Sequence, residues 1–348
     1  MEDYNLNNQP LYSVVIKKLY IKIIIIIILL LSLLIKLVLN KSDLSFKLYK
    51  EFKNKDDLKL FKKNKTNFYF KIRTKFLKKL NIDYNETNLK TFQDKINYLI
   101  IHESPEYKSN LVDKIKIHEY SKKILGKDIC VPILKIYDNI DEINFDKLPN
   151  KFLLKYNHGS AMNIICTNKF NFNISEAKEK LNKWKNINFG LLTTEFQYLY
   201  VKRKVFAVPY LCEKIIDYEF FCFNGVPKFI RVQKLLIEKN HTFIHNWYDL
   251  NWNLTEVETG LHGYIRFPEI KIDKPKNLDL MINYAKKLSN EFVFVRVDLY
   301  EVNNTVYLSE LTFSPTNAQM TFKNKEQSLY LGSLLDITKI KLSLYNQS

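Results

Sequence analysis

Two neighbouring stretches place acids where strands rarely carry them. FVFVRVDLY, residues 292–300, alternates with period two, so Phe294, Arg296, Asp298 and Tyr300 share one face while Val295, Val297 and Leu299 share the other. Aspartate is disfavoured in mid-strand. After Asn303-Asn304, the return stretch VYLSELTF, residues 306–313, puts Glu310 and Thr312 on a common face. Two mid-strand acids brought together repel, and burying them costs several kcal/mol unless a cation or hydrogen bonds compensate. A divalent metal supplies that compensation, and Mg²⁺ suits a site of few carboxylates completed by water and phosphate. The other reading of the pair is two solvent-facing positions on a half-exposed sheet. Register separates the two: a two-residue loop at 303–304 sets Asp298 opposite Ser309 and turns Glu310 away. A three-residue loop or a bulge sets the acids opposite each other, and the irregular turn is the expectation.

A second candidate is KFLLKYNHGSAMNII, residues 151–165, where an apolar run ends in Lys155 and a polar loop with one glycine leads to a second apolar run. It reads either as a phosphate-gripping loop or as a turn between strands. The loop lacks G-K-[ST] and the glycines of a Walker loop. A strand-terminal lysine is commonly a snorkelling surface residue, and His158 fits a turn position. Nothing forms a Ser-His-Asp or Cys-His arrangement. Cys130, Cys166, Cys212 and Cys222 show no C-x-x-C spacing, so neither a zinc site nor a disulfide framework is indicated.

The elements that must position these residues alternate between helix and strand. Periodicity predicts a helix over 112–125 closed by Gly126, strands at 151–155 and 163–167, and a helix from an N-cap at Ser175 to about 185. Strands are expected at 205–211, 218–223 and 227–233, with Asn224-Gly225 as the hairpin turn between the last two. A helix over 278–289 precedes the acidic hairpin. The fold class is mixed α/β (α+β).

The 348 residues carry 46% hydrophobic and 14% aromatic side chains, enough for a substantial core and incompatible with a disordered chain. The net charge is +17, from 54 Lys+Arg against 37 Asp+Glu. The excess is lysine spread along the chain instead of massed in a stripe, and arginine, the better base and phosphate reader, is scarce. A solvated surface is expected and no nucleic-acid partner. Residues 19–39, LYIKIIIIIILLLSLLIKLVL, carry no charge between Lys22 and Lys36 and read as one transmembrane helix held in membrane lipid, with a cleaved signal peptide as the alternative. Residues 1–18 form a tail, and the Lys-rich stretch 40–88 reads as a juxtamembrane stalk or helical cap. Lysines flank both ends of the span. The lack of a cysteine framework favours a cytosolic domain on a single-pass anchor, and the signal-anchor layout with the N-x-S/T sequons the lumen.

In order along the chain, TFQDKINYLIIHESP, LVDKIKIHEYSKKILG, VPILKIYDNIDEINFDKLPNKFLLKYNHGS, DYEFFCFNGVPKFIRV, NWYDLNWNL, FVFVRVDLY and SELTFSP resemble the TupA-like ATP-grasp family of teichuronopeptide and surface-polysaccharide biosynthesis, over about residues 89–337. The resemblance implies an ATP-grasp-like fold of two subdomains, 89–209 and 210–348, gripping ATP with Mg²⁺. It implies that Lys155 meets the α-phosphate region, that Lys114 is the lysine of an opening Asp-Lys pair, and that the loop with His158, Gly159 and Ser160 closes over the β- and γ-phosphates. Backbone groups around Tyr210 and Leu211 would receive adenine. Asp298 and Glu310 would bind the metal, with Thr312 in the place of a common asparagine ligand, and Arg296 with Lys155 would be catalytic. The sequence departs from the family at Ala161, where a second glycine is usual, at His118 for arginine, at Glu219 for lysine, and at Val208-Pro209 for a Glu-Lys pair. SPTNAQ replaces an expected Pro-Gly segment. The implied activity is ATP-dependent ligation or phosphoryl activation, of carboxylate–amine ligase type, on a glycan or peptide acceptor. A membrane-anchored glycosyltransferase using a nucleotide-sugar and a non-catalytic tethered binding module are the alternatives.

Overall fold

The computed structural model describes residues 55–213, 215–236, 242–260, 264–265 and 272–340. The expected tail at 1–18 and membrane span at 19–39 lie outside them. Among the described residues no helix is long and apolar enough to cross a membrane.

From residue 55 onward, the Lys-rich stretch contributes two helices, Lys55–Lys63 and Lys65–Lys79. The second starts where the Asn64 side chain accepts from the Asn67 amide at 2.9 Å. Its Phe68, Tyr69, Ile72, Arg73, Phe76 and Leu77 recur at helical spacing and are buried, so one face belongs to the interior while the lysines stay outside. A capping box, Thr91 with Asp94, opens the helix Phe92–His102.

The helix expected over 112–125 starts only at Ile117 and runs to Leu125; a separate helix, Pro105–Val112, precedes it, with a break between the two. Asp113 causes it. Its carboxylate accepts from the Ile115 amide at 2.9 Å and from the Asn157 side chain at 2.9 Å, and no continuous helix offers that geometry. Lys114 therefore sits in a turn. Gly126 closes the second helix in the left-handed region at φ 73°.

Four antiparallel strands form the first sheet: β1 Lys135–Tyr137, β2 Phe152–Tyr156, β3 Asn163–Cys166 and β4 Val205–Pro209, in the order β1-β4-β2-β3. Along β2, Phe152, Leu154 and Tyr156 point to a core shared with Leu181 and Ala207, while Leu153 and Lys155 face the other way. The helix behind this sheet, Ile174–Lys185, is capped by Asn173 instead of Ser175.

The second sheet contains β5 Asp217–Phe223, β6 Val226–Leu236, β7 Thr242–Tyr248, β9 Tyr264–Ile265, β10 Phe294–Val302 and β11 Thr305–Thr312, in the order β11-β10-β5-β6-β7-β9. A two-stranded ribbon pairs β8 Thr259–Gly260 with β12 Thr321–Phe322. Asn224 at φ 49° and Gly225 at φ 81° make the expected hairpin turn between β5 and β6. The helix Leu278–Ser289 lays Leu278, Met281, Ala285 and Leu288 on Phe220, Val295, Val297 and Leu299 of the sheet. Each such side chain, fully buried, stabilises by about 1.5–3 kcal/mol.

The acidic hairpin is irregular, but not at its turn. Asn303 at φ 51° and Asn304 at φ 60° form a regular two-residue loop, and Val302 pairs with Thr305. The irregularity is the bulge. Leu299 pairs with Leu308 and Asp298 with Glu310, leaving Ser309 as the extra residue. Leu308 and Leu311 lie three apart, yet both must reach the core beneath the sheet, and an unbroken period of two allows only one of them to do so. Deleting Ser309 leaves Leu308 and Leu311 two apart, so both leucines and Glu310 should keep their faces on an unbroken ladder. The urea midpoint of the full chain should stay close to the parent's; a fall of about 3–5 kcal/mol, the range for a buried charge left unpaired, would refute the account of Ser309 as the extra residue.

Candidate active site

One row crosses the second sheet: Glu310 on β11, Asp298 on β10, Glu219 on β5 and Arg231 on β6, each paired in register with the next. Arg296, two residues from Asp298 and hence on the same face, threads among them. Its Nε donates to Asp298 Oδ1 at 2.6 Å and its Nη2 to Asp298 Oδ2. Its Nη1 stands 3.2 Å from Glu219 Oε1, and its Nη2 3.5 Å from Glu310 Oε1. Arg231 takes the far side of Glu219, with Nη2 donating at 3.0 Å and Nε forming a second, shorter bond. Its guanidinium also lies over the Phe221 and Trp247 rings at 5.5 and 5.8 Å. The Thr312 hydroxyl reaches both metal candidates, 3.1 Å from Glu310 Oε1 and 3.4 Å from Asp298 Oδ2.

Burial works to raise all three carboxyls, and the neighbours decide the outcome. Against burial, Arg231 and Arg296 hold Glu219 down at about 2. Asp298 goes the other way: burial, with Glu219 and Glu310 beside it, pushes its carboxyl well above the usual range despite Arg296. Glu310 is held below its ordinary range, where Lys114 and Arg296 outweigh burial.

Lys114 and Lys155 stand in the wall of a cleft of about 820 Å³ between the two sheets. Lys114 Nζ donates to the Gly159 carbonyl at 2.8 Å and lies 3.4 Å from Glu310 Oε2. Lys155 reaches the cleft because strand alternation turns it from the core. Burial and the charge of Lys114 lower its pKa. Leu153, Ile165, Phe206 and Val208 give the same cleft an apolar wall, and Tyr210 and Leu211 line it just past the end of β4. His118, in the cleft lining, bonds through Nδ1 to Asp128 at 2.7 Å. Asp217, also in the lining, is pushed up to about 6 by burial and by Glu219 and Glu310.

The loop after Lys155 is anchored at its base. Asn157 donates to Asp113 and to the Lys202 carbonyl, both at 2.9 Å, and accepts from the Lys204 amide at 2.8 Å. His158 is buried, edge-on to Tyr156 at 4.9 Å, and burial with the nearby Arg203 lowers it to about 4. It does not line the cleft. Gly159 permits close packing, since a Cβ there would stand 2.9 Å from the Phe189 ring. Ser160 is exposed at the tip. Ala161 adopts φ 58°, the left-handed conformation for which glycine is suited.

The oxygens of Asp298, Glu310 and Thr312 lie together, with Arg296 bound to both Asp298 oxygens and none of the three among the residues lining the cleft; an oxygen set of this kind suits a hard divalent cation where the guanidinium gives way, and Lys114 and Lys155 in the cleft lining suit an anion. Sequence reasoning missed Arg231, Asp217 and the role of Arg73 described below. An arginine and a glutamate at matching strand positions, Arg231 and Glu219, were the available signal for the first.

A family model, TupA-like ATPgrasp, matches residues 93–336, and the chain belongs to that family. No curated protein matches it. Among solved structures it is similar to the D-alanine-D-alanine ligase from Helicobacter pylori, at 16% identity over 64% of this chain and 61% of that one, with a TM-score of 0.36. It is also similar to the D-alanine-D-alanine ligase from Bacillus anthracis complexed with ATP, at 14% identity over 78% and 83%, TM-score 0.37. D-alanyl-alanine synthetase A from Vibrio cholerae gives 12% over 70% and 71%, TM-score 0.39. The chain spans about three fifths of the Helicobacter pylori ligase.

Ala161→Gly should relieve the left-handed strain and stabilise the chain by about 1 kcal/mol, measured by denaturant unfolding; a destabilised variant would show that the loop conformation is not held as described.

Proposed function

We propose that the chain is an ATP-dependent ligase of the carboxylate–amine type, acting on a glycan or peptide acceptor in surface-glycopolymer synthesis. One observation carries the reading: Lys114 and Lys155 stand together in the cleft wall, with Lys114 3.4 Å from Glu310 and Glu310 in register with Asp298. Paired cations beside paired acids suit a polyphosphate with its counterion. The apolar wall of Leu153, Ile165, Phe206 and Val208 suits a purine ring.

On this reading Lys155 and Lys114 neutralise phosphate oxygens, and positioning with charge neutralisation supplies the catalysis. Asp298, Glu310 and the Thr312 hydroxyl would hold Mg²⁺, which when bound neutralises charge on the β- and γ-phosphates. Arg296 keeps the two acids apart and oriented, so that Glu310 turns one oxygen toward Lys114 and the cleft. Family membership supports ATP as the nucleotide.

In a thermal-shift and calorimetric titration of the full chain, ATP with Mg²⁺ should bind and UDP-sugars should not compete. Asp298→Asn or Glu310→Gln should weaken Mg-ATP binding at least tenfold; unchanged binding in both variants would sink the metal assignment, and competition by UDP-sugars would favour a glycosyltransferase.

The raised Asp298 carboxyl gives a pH test. Its protonated form cannot ligate a cation, so binding is full above its folded pKa and is lost as pH falls through it. Since that pKa lies well above an aspartate's usual value of about 4, Mg-ATP affinity should begin to fall at a higher pH than an ordinary carboxylate would cause. Asp298→Asn should abolish that dependence, and a pH profile identical in the variant would argue against it.

A further inference from the structure

Arg73 is fully buried on the helix Lys65–Lys79, ahead of the segment that matches the family model. Its guanidinium reaches three separate parts of the chain. Nε donates to Asn97 Oδ1 at 2.8 Å. Nη1 donates to the Thr193 carbonyl at 3.2 Å, to the Thr194 hydroxyl, and to Asn317 Oδ1 at 2.7 Å. Nη2 donates to the Asn317 carbonyl at 2.8 Å. A planar fork of donors can meet such a set, and a lysine ammonium cannot.

Its principal target is strained. Directly after the acidic strand, Thr316, Asn317 and Ala318 take φ of 49°, 54° and 56°, three consecutive non-glycine residues in the left-handed region. Each costs about 1–2 kcal/mol, less for asparagine, and such conformations persist only where surrounding structure enforces them. The enforcing contacts are Arg73 on both Asn317 oxygens, Asn317 Nδ2 on the Thr193 carbonyl at 2.6 Å, and Ser314 donating its hydroxyl to Glu195. The turn begins two residues beyond Thr312.

We propose that Arg73 is a positioning residue that locks the 314–319 turn onto the 193–195 loop and so fixes the end of the strand that carries Glu310 and Thr312; that this strand end serves nucleotide binding rests on the ligase reading above. The helix that carries Arg73 is on this account a working part of the site.

The test compares the full chain with Arg73→Met, Arg73→Lys and Asn317→Ala. Amide hydrogen exchange should rise at least tenfold at 317–319 in Arg73→Met, with the helix Leu278–Ser289 unchanged. Mg-ATP affinity should fall at least tenfold in Arg73→Met, and Arg73→Lys should recover only part of it. Asn317→Ala, which keeps the arginine, should loosen the same turn and covers the case in which Arg73→Met does not fold. Unchanged exchange at 317–319, or faster exchange spread evenly through both cores, would overturn the proposal. Failure of the parent chain to bind Mg-ATP would refute the nucleotide reading alone, and the exchange pattern would still judge the lock.

Discussion

Charge balance in a buried row governs this structure. Three carboxyl groups, Glu219, Asp298 and Glu310, stand side by side across three strands, and the two guanidinium groups set among them, with Lys114 at Glu310, make that tolerable. Taking ions out of water costs several kcal/mol each, so every member depends on its partners' exact registration in the ladder. That dependence explains why the bulge at Ser309 belongs to the chemistry as much as to the fold. With Ser309 paired instead of bulged, Glu310 faces the leucine layer and the row loses its exposed end.

The row's cations are not equivalent. Arg231 lies over Phe221 and Trp247 and is spent on Glu219, a structural pairing within the sheet. Arg296 bridges all three acids. Lys155 comes from the first sheet, where burial and the charge of Lys114 lower its pKa, while Lys114 is held between the Gly159 carbonyl and Glu310; the two ammonium groups in one cleft lining suit an incoming anion. The helix break at Asp113 is what delivers Lys114 there. The same carboxylate ties down Asn157, so the lysine turn and the base of the loop after Lys155 are set by a single side chain.

The backbone is strained at the two loops flanking this site and relaxed in the sheets between them. Ala161 and the run Thr316 to Ala318 hold left-handed conformations without glycine. Such positions are kept by contacts from elsewhere in the chain, and at the second loop those contacts come largely from Arg73. Residues preceding the matched family segment thus help shape the site.

The alternation in FVFVRVDLY, the Asn-Gly turn, the helix over 278–289 and the coming together of Lys155 with a following loop were all legible in the sequence, because each depends on local periodicity or local turn preference. The facing of Asp298 and Glu310 was legible only as a choice between two registers. The leucine spacing that settles it at Ser309 gains meaning once a core lies beneath the strand. Tertiary structure alone decided the break that frees Lys114, the partnership of Arg231 with Glu219, and the reach of Arg73 across more than two hundred residues to Asn317. Those are long-range pairings of buried polar groups, and a chain's local pattern shows which residues turn inward but not which distant partner will be waiting there.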